Sequence, residues 1–207
     1  ERRDDAKRDF SCTVYDDYKK LLKNSGEIDL FINAMPSHLH MEGTVAGFRA
    51  GHHVVCEKPL GRKAADFDKM VAASKKAKKI LMPFQNSRFY PFFQKMLEMI
   101  ESGALGRLVH VRTSWGGYAR RWDWQTKQEF YGGNLLNTGP HPMDHAIMLF
   151  GEKQPKVFCQ MKAINPAGGA AERSSWQPMQ LRVSPGWSWI TLRILWISFM
   201  SASRAWR

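Results

Sequence analysis

Two residues of this 207-residue sequence have types and neighbours suited to handling charge and protons: Lys58, in Glu57-Lys58-Pro59, and His141, in Gly139-Pro140-His141-Pro142. An ammonium fixed at a strand end can stabilise charge developing on an oxygen. An imidazole exchanges a proton near neutral pH better than any other side chain. Oxidation of a secondary alcohol, or the reverse, needs one group of each kind, since the reacting oxygen must be polarised and its proton moved. Each residue also has a plainer reading. Lys58 would be a surface lysine beside a turn, and His141 a helix-start histidine bonded to backbone. His141, Asp144 and His145 stand at i, i+3 and i+4, a spacing that can put metal ligands on one helix face. No further ligand cluster accompanies them, and His38, His40, His52 and His53 lack zinc spacing, so no metal site is expected. Arg120, Trp122, Asp123 and Trp124 form an aromatic and polar stretch that suits either a carbohydrate pocket or ordinary packing. Arg88 faces cofactor or substrate, or only ties two domains together.

These residues must be positioned by the elements around them. Asp16 to Lys23 reads as a short helix ended by Gly26. Ile28–Ala34 is a nearly continuous apolar run of strand length, as in a parallel strand buried on both faces. Leu39–Ala50 reads as a helix closed by Gly51, and His53–Cys56 as a strand. Asp66–Lys79 is a helix with Phe67, Met70, Val71 and Ser74 on one side, and Ile80–Phe84 a third strand. Strand and helix alternating in this way mark right-handed crossovers in a parallel sheet, which binds ligands at the carboxyl ends of its strands. Asn33, Glu57-Lys58 and Gln85-Asn86 occupy those ends. The character then changes. Pro91–Ser102 is amphipathic, with Phe92, Met96, Met99 and Ile100 inward. Leu108–Trp115 and Lys156–Ala163 read as strands, and Met143–Phe150 as a helix after the Gly-Pro turn. This part is α+β with a largely antiparallel sheet. From about Glu172 neither period is kept, and that stretch reads as an irregular tail, possibly out of frame.

Composition narrows the function classes. Hydrophobic residues make up 43% and charged residues 24%, which excludes wholesale disorder. The three cysteines are widely separated without a CxxC pair, which excludes a disulfide scaffold or zinc ribbon and points to a reducing compartment, hence a cytoplasmic location. No run of eighteen apolar residues suggests a membrane span. The net charge of +12 is spread over lysine-rich helix faces and the arginines of the last stretch. With no zinc-finger, RNP-like or basic-zipper pattern, nucleic acid is not an expected partner.

Three segments, taken together and in order, carry more than any one of them. They are Ala34-Met35-Pro36-Ser37-His38-Leu39-His40, Gly51-His52-His53-Val54-Val55-Cys56-Glu57-Lys58-Pro59-Leu60, and Gly132-Gly133-Asn134-Leu135-Leu136-Asn137-Thr138-Gly139-Pro140-His141-Pro142-Met143-Asp144. At this spacing they resemble the glucose–fructose oxidoreductase / inositol dehydrogenase / MocA family of nicotinamide-dependent oxidoreductases, over about Ala6 to Ala170. Gln85-Asn86-Ser87-Arg88-Phe89 and Glu101 to Gly106 fit the same pattern. The resemblance implies NAD or NADP as cofactor and a sugar, cyclitol or related polyol as substrate, with homo-oligomeric assembly of the intact protein. It implies catalytic roles for Lys58 and His141, with Asn137 orienting the substrate. Asn33, Met35, Pro36, His40, Glu57, Lys58, Pro59, Gln85 and Asn86 would contact cofactor, and Arg88, Arg120, Trp122, Asn137 and Asp144 substrate. Relatives often carry aspartate where this chain has Asn137. An amide cannot exchange a proton as a carboxylate does, so the departure weakens a Lys-Asp-His mechanism and leaves a Lys58–His141 one.

The expected organisation is residues 1–86 as the remainder of a Rossmann-type domain, 87–171 as part of an α+β substrate and oligomerisation domain, and 172–207 as the tail. A dinucleotide domain is expected to open with a strand, a glycine-rich turn and a helix, and this sequence has no GxGxxG. The alternative reading is therefore an inactive fragment or interaction-only protein of the same family.

Overall fold

The computed structural model describes residues 2–26, 28–118, 123–150, 156–159, 177–182 and 189–197. Its contacts divide the chain into two units, with the boundary between Phe84 and Gln85.

The first unit is built on three parallel strands, β1 (Leu30–Asn33), β2 (His53–Glu57) and β3 (Leu81–Phe84), in the order β1-β2-β3. Asn33 is paired with Cys56, and Glu57 with Phe84, so the three strands end together at one edge. Helices α1 (Arg2–Phe10) and α2 (Tyr18–Lys23) precede β1, and α3 (His40–Arg49) and α4 (Ala64–Ala77) form the crossovers. The helix α2 starts at an Asp17 cap, whose carboxylate accepts the Lys19 N–H, and stops at Asn24, short of Gly26. Gly51, with φ of +92°, does close the turn after α3. At the start of α4, the Asp66 carboxylate reaches back to the N–H groups of Arg62 and Lys63.

Phe31, Val54, Phe48 and Leu22 form the core of this unit, with Ala46, Ala73, Ala77 and Leu81 packed around them. Met70, fully buried, with Ala73 and Ala77 is the inward stripe of α4, while Phe67 is exposed. Small alanines let the helix approach the sheet, and this decides the face rather than the larger Phe67. Among the described residues the helices cover one sheet face only. The other leaves Leu30 47% and Ile32 62% exposed, so β1 alternates between buried and exposed positions instead of being buried on both faces.

The second unit opens with a single 3-10 turn, Asn86–Phe89, and α5 (Pro91–Glu101). Its inward stripe is Phe93, Met96, Leu97 and Ile100, at i, i+3, i+4 and i+7; Phe92 and Met99 face outward. The stripe is rotated by one residue from the expected one because Phe93 is anchored by a ring stack on His145. A nine-residue strand, β4 (His110–Tyr118), is followed by two short 3-10 turns, α6 (Asn134–Asn137) and α7 (Pro140–Phe150). The helix α7 begins three residues before Met143, so His141 lies inside its first turn. Pro140 and Pro142 are tolerated there because the first N–H groups of a helix have no intrahelical partner.

Strands β5 (Lys156–Cys159), β6 (Gln177–Arg182) and β7 (Trp189–Ile197) complete a sheet of order β4-β7-β6-β5, with β4 and β7 parallel and the other pairs antiparallel. β6 and β7 fall in the stretch read as an irregular tail. The sequence Trp189 to Ile197 is rich in β-branched and aromatic residues, and its alternate positions Ile190, Leu192, Ile194 and Trp196 are all apolar. The apolar residues on its other face mask that alternation. Residues 160–163 of the expected fifth strand lie outside the described residues.

Candidate functional site

In the first unit the candidate residues gather where the three parallel strands end. Asn33 is completely buried beneath the loop that follows β1. Its amide donates to the His40 carbonyl at 2.9 Å and to Thr44 Oγ1 at 3.0 Å, and its oxygen accepts the Met35 N–H. His40, also buried, places one ring nitrogen 2.6 Å from the Pro59 carbonyl and the other 2.6 Å from the Met35 carbonyl. It therefore ties the loop after β1 to the loop after β2. Asn33 and His40 are committed to shaping this edge, while Met35, Pro36, Glu57 and Lys58 are half-buried at it. The Lys58–Pro59 peptide is cis, and the Glu57 carboxylate accepts the Lys58 N–H at 3.1 Å. Cys56, fully buried beside them, has its thiol pushed up to about 11 by desolvation.

The second unit brings the turn after β3 against the first turns of α7. His141 Nδ1 lies 3.1 Å from Gln85 Oε1 and 3.0 Å from Ser87 Oγ. The other end of the Gln85 amide donates to the Pro140 carbonyl at 3.0 Å. His141 also stacks on Trp115, with ring centroids 5.7 Å apart and planes 16° from parallel. One turn on, His145 Nε2 donates to the Ser87 carbonyl, and its ring stacks on Phe93 at 3.7 Å. Burial holds the His145 imidazole below its ordinary value, against the opposing pull of the Ser87 carbonyl.

Arg88 and Asp144 are joined by a two-pronged ion pair at 2.7 and 2.6 Å, which raises the Arg88 guanidinium above its usual value. Both were expected to contact substrate, and here they pair with each other. His141, Asp144 and His145 share a helix face; His141 meets Gln85 and the Ser87 hydroxyl, Asp144 meets Arg88, and His145 meets the Ser87 carbonyl. The Asn137 amide donates to the Gln125 carbonyl at 3.2 Å. A Cβ on Gly132 would run into that same carbonyl, so glycine is needed for the loop to pass. Asn86 is exposed on its turn. Arg120 and Trp122 lie outside the described residues.

Residues 1–85 match the oxidoreductase family described as an NAD-binding Rossmann fold, and residues 93–181 match the GFO/IDH/MocA C-terminal domain. The chain belongs to the GFO/IDH/MocA family of oxidoreductases. It is 30% identical over 152 residues to scyllo-inositol 2-dehydrogenase (NADP(+)) IolW of Bacillus subtilis, covering 72% of this chain and 42% of that protein. It is 32% identical over 146 residues to myo-inositol 2-dehydrogenase of Thermotoga maritima, covering 70% of this chain and 42% of that one. Among solved structures, it is similar to the aldose-aldose oxidoreductase of Caulobacter crescentus complexed with glycerol. That likeness has a TM-score of 0.79 and 25% identity, and covers 94% of this chain and 59% of the other. The chain thus spans less than half the length of these two inositol dehydrogenases.

Family membership makes NAD(P) the cofactor class of the first unit. Among the described residues no helix is long and apolar enough to cross a membrane. Sequence reasoning missed the hydrogen-bonding partnership of Gln85 and Ser87 with His141, and the aromatic support from Trp115 and Phe93. Ser87 in Asn-Ser-Arg carries no signal of being fully buried. Trp115 was legible only as a strand residue.

Proposed function

We propose that the chain carries the nicotinamide-side strand ends and the proton-exchanging histidine of an NAD(P)-dependent oxidoreductase acting on a sugar, cyclitol or related polyol. The observation that carries this reading is the wiring of His141, whose Nδ1 is held by Gln85 and Ser87 while its ring is stacked on Trp115. A histidine serving only as a helix start would need none of these contacts.

The residues at the β1-β2-β3 edge fit a nicotinamide cofactor. Met35 and Pro36 offer half-buried apolar surface, and Glu57 and Lys58 offer charge, on loops fixed from below by Asn33 and His40. Met35, Pro36, Glu57, Lys58 and Pro59 would hold that end of the cofactor. When bound, the cofactor supplies the acceptor or donor of a hydride. Lys58 polarises the reacting oxygen and stabilises the charge that develops on it. His141 takes the hydroxyl proton during oxidation and returns it during reduction. Asn137 orients substrate as a hydrogen-bonding amide and does not exchange protons. The intact protein assembles as a homo-oligomer in this reading.

The test is a titration of tryptophan fluorescence with NADH and NADPH, followed by turnover measurements on inositols and aldoses. Binding in the micromolar range is expected. Lys58→Met and His141→Asn are each expected to lower kcat by about 10²- to 10⁴-fold with cofactor binding by His141→Asn unchanged. A folded chain that binds neither nucleotide overturns the reading in favour of a non-catalytic role, and unchanged turnover in either variant overturns the role given to that residue.

A further inference from the structure

Gln85 lies at the end of β3, where it was expected to meet cofactor. Its side chain makes two contacts whose chemistry fixes their direction. The Pro140 carbonyl can only accept, so the amide nitrogen of Gln85 must face it, at 3.0 Å. That pins the amide oxygen toward His141 Nδ1, at 3.1 Å. An amide oxygen can only accept, so Nδ1 must carry the hydrogen. In a neutral imidazole this puts the lone pair on Nε2. Ser87 Oγ, 3.0 Å from the same Nδ1, can donate or accept and so imposes no direction of its own.

We infer that Gln85 is the positioning residue that sets the tautomer of His141, through a hydrogen-bond relay anchored on the Pro140 carbonyl. This rests on His141 being the proton-exchanging group, because the relay makes Nε2 the nitrogen that accepts the substrate proton. The rest of the turn reinforces the setting. Arg88 grips Asp144 three residues beyond His141, and the Ser87 carbonyl accepts from His145 four residues beyond it. The turn and the first two turns of α7 are therefore held at several points, and at His141 Nδ1 the Gln85 amide oxygen supplies a directional contact.

The experiment is ring-nitrogen NMR on ¹⁵N-histidine-labelled protein above pH 7.5, with His141 assigned by the loss of its signals in His141→Asn. In the unsubstituted chain Nδ1 is expected to give the shift of a protonated nitrogen and Nε2 that of an unprotonated one. Gln85→Leu is expected to move the tautomer ratio toward Nε2–H by about 2- to 10-fold, the range a single net hydrogen bond supplies. Gln85→Glu, which keeps an acceptor at the same place, and Ser87→Ala are expected to retain Nδ1–H. An unchanged ratio in Gln85→Leu overturns the inference, as does Nε2–H in Gln85→Glu or a switch caused by Ser87→Ala alone. Turnover is read separately. If Gln85→Leu shifts the tautomer while kcat holds, the relay stands and the catalytic reading of His141 falls.

Discussion

Replacing Gly47 with alanine adds one methyl group to the face of α3 that lies on the sheet. Its Cβ would sit 2.8 Å from Phe31 Cδ1 and 2.9 Å from Val54 Cγ2, both closer than carbon atoms approach in folded proteins. Neither neighbour is a flexible side-chain end, since Phe31 and Val54 are the buried centre of the first unit's core. Overpacking of this kind costs about 1–3 kcal/mol. Against it stands the helix propensity gained by replacing glycine in a helix interior, about 1 kcal/mol. The net expectation is a loss of about 1 kcal/mol, or roughly a five-fold fall in the folded-to-unfolded ratio, read by urea denaturation followed by far-UV circular dichroism. A double-mutant cycle isolates the cause. In a Phe31→Leu background the ring atom is gone, and Gly47→Ala should cost less by about 0.5 kcal/mol or more. A Gly47→Ala chain that is more stable by the propensity gain alone would show that α3 stands off the sheet, and with it the support of Asn33 and His40 from α3.

Three further outcomes follow from the groups described. Because burial lowers the His145 pKa, the unfolded chain takes up this proton first as pH falls. Stability should be intact above about pH 6.5, decline below it, and decline less in His145→Gln; equal slopes in the two proteins from pH 7.5 to 5.5 would contradict this. Iodoacetamide at pH 8 should alkylate exposed Cys12 and spare buried Cys56 until denaturant is added, as read by peptide mass mapping; equal rates would contradict the burial of β2. The Arg88–Asp144 pair is half exposed on its arginine side, so solvent screening limits its coupling energy to about 1 kcal/mol or less in a double-mutant cycle with Arg88→Ala and Asp144→Asn. Arg88→Lys should recover little of it, since an ammonium cannot reproduce the fork, and full recovery would refute the two-pronged geometry.

The parallel sheet was legible because each of its strands is short, apolar and bounded by turn residues, and because the helices between them end at Gly51 and begin near Asp66. The helix faces were less legible. In α4 the bulky Phe67 points outward and small alanines line the inward face, and in α5 two adjacent phenylalanines divide, Phe92 exposed and Phe93 buried in a ring stack on His145. β7 was hidden because both of its faces carry apolar residues, which erases the alternation that marks a half-buried strand. These misreadings share a cause, since residue type reports what a side chain can bury and its neighbours decide whether it does.

The candidate site divides along the same line. Lys58 and His141 could be singled out from the three ordered segments that contain them, since alone a lysine beside proline at a strand end and a histidine in a Gly-Pro-His-Pro turn each have a plainer reading. Their partners could not. Gln85 and His141 are 56 residues apart, as are Arg88 and Asp144, and Ser87 and His145 are 58 apart. Nothing in Gln-Asn-Ser-Arg distinguishes a turn that meets a ligand from one that grips a distant helix. The structure resolves this by counting donors and acceptors. Gln85 spends its amide nitrogen on Pro140 and its oxygen on His141, Arg88 spends both prongs on Asp144, and Ser87 spends its carbonyl on His145. Gln85, Arg88 and Asp144, expected at a ligand, also make contacts that frame the histidine that would act on one. A substitution in that frame should therefore alter the proton chemistry of His141 before it alters affinity for any substrate.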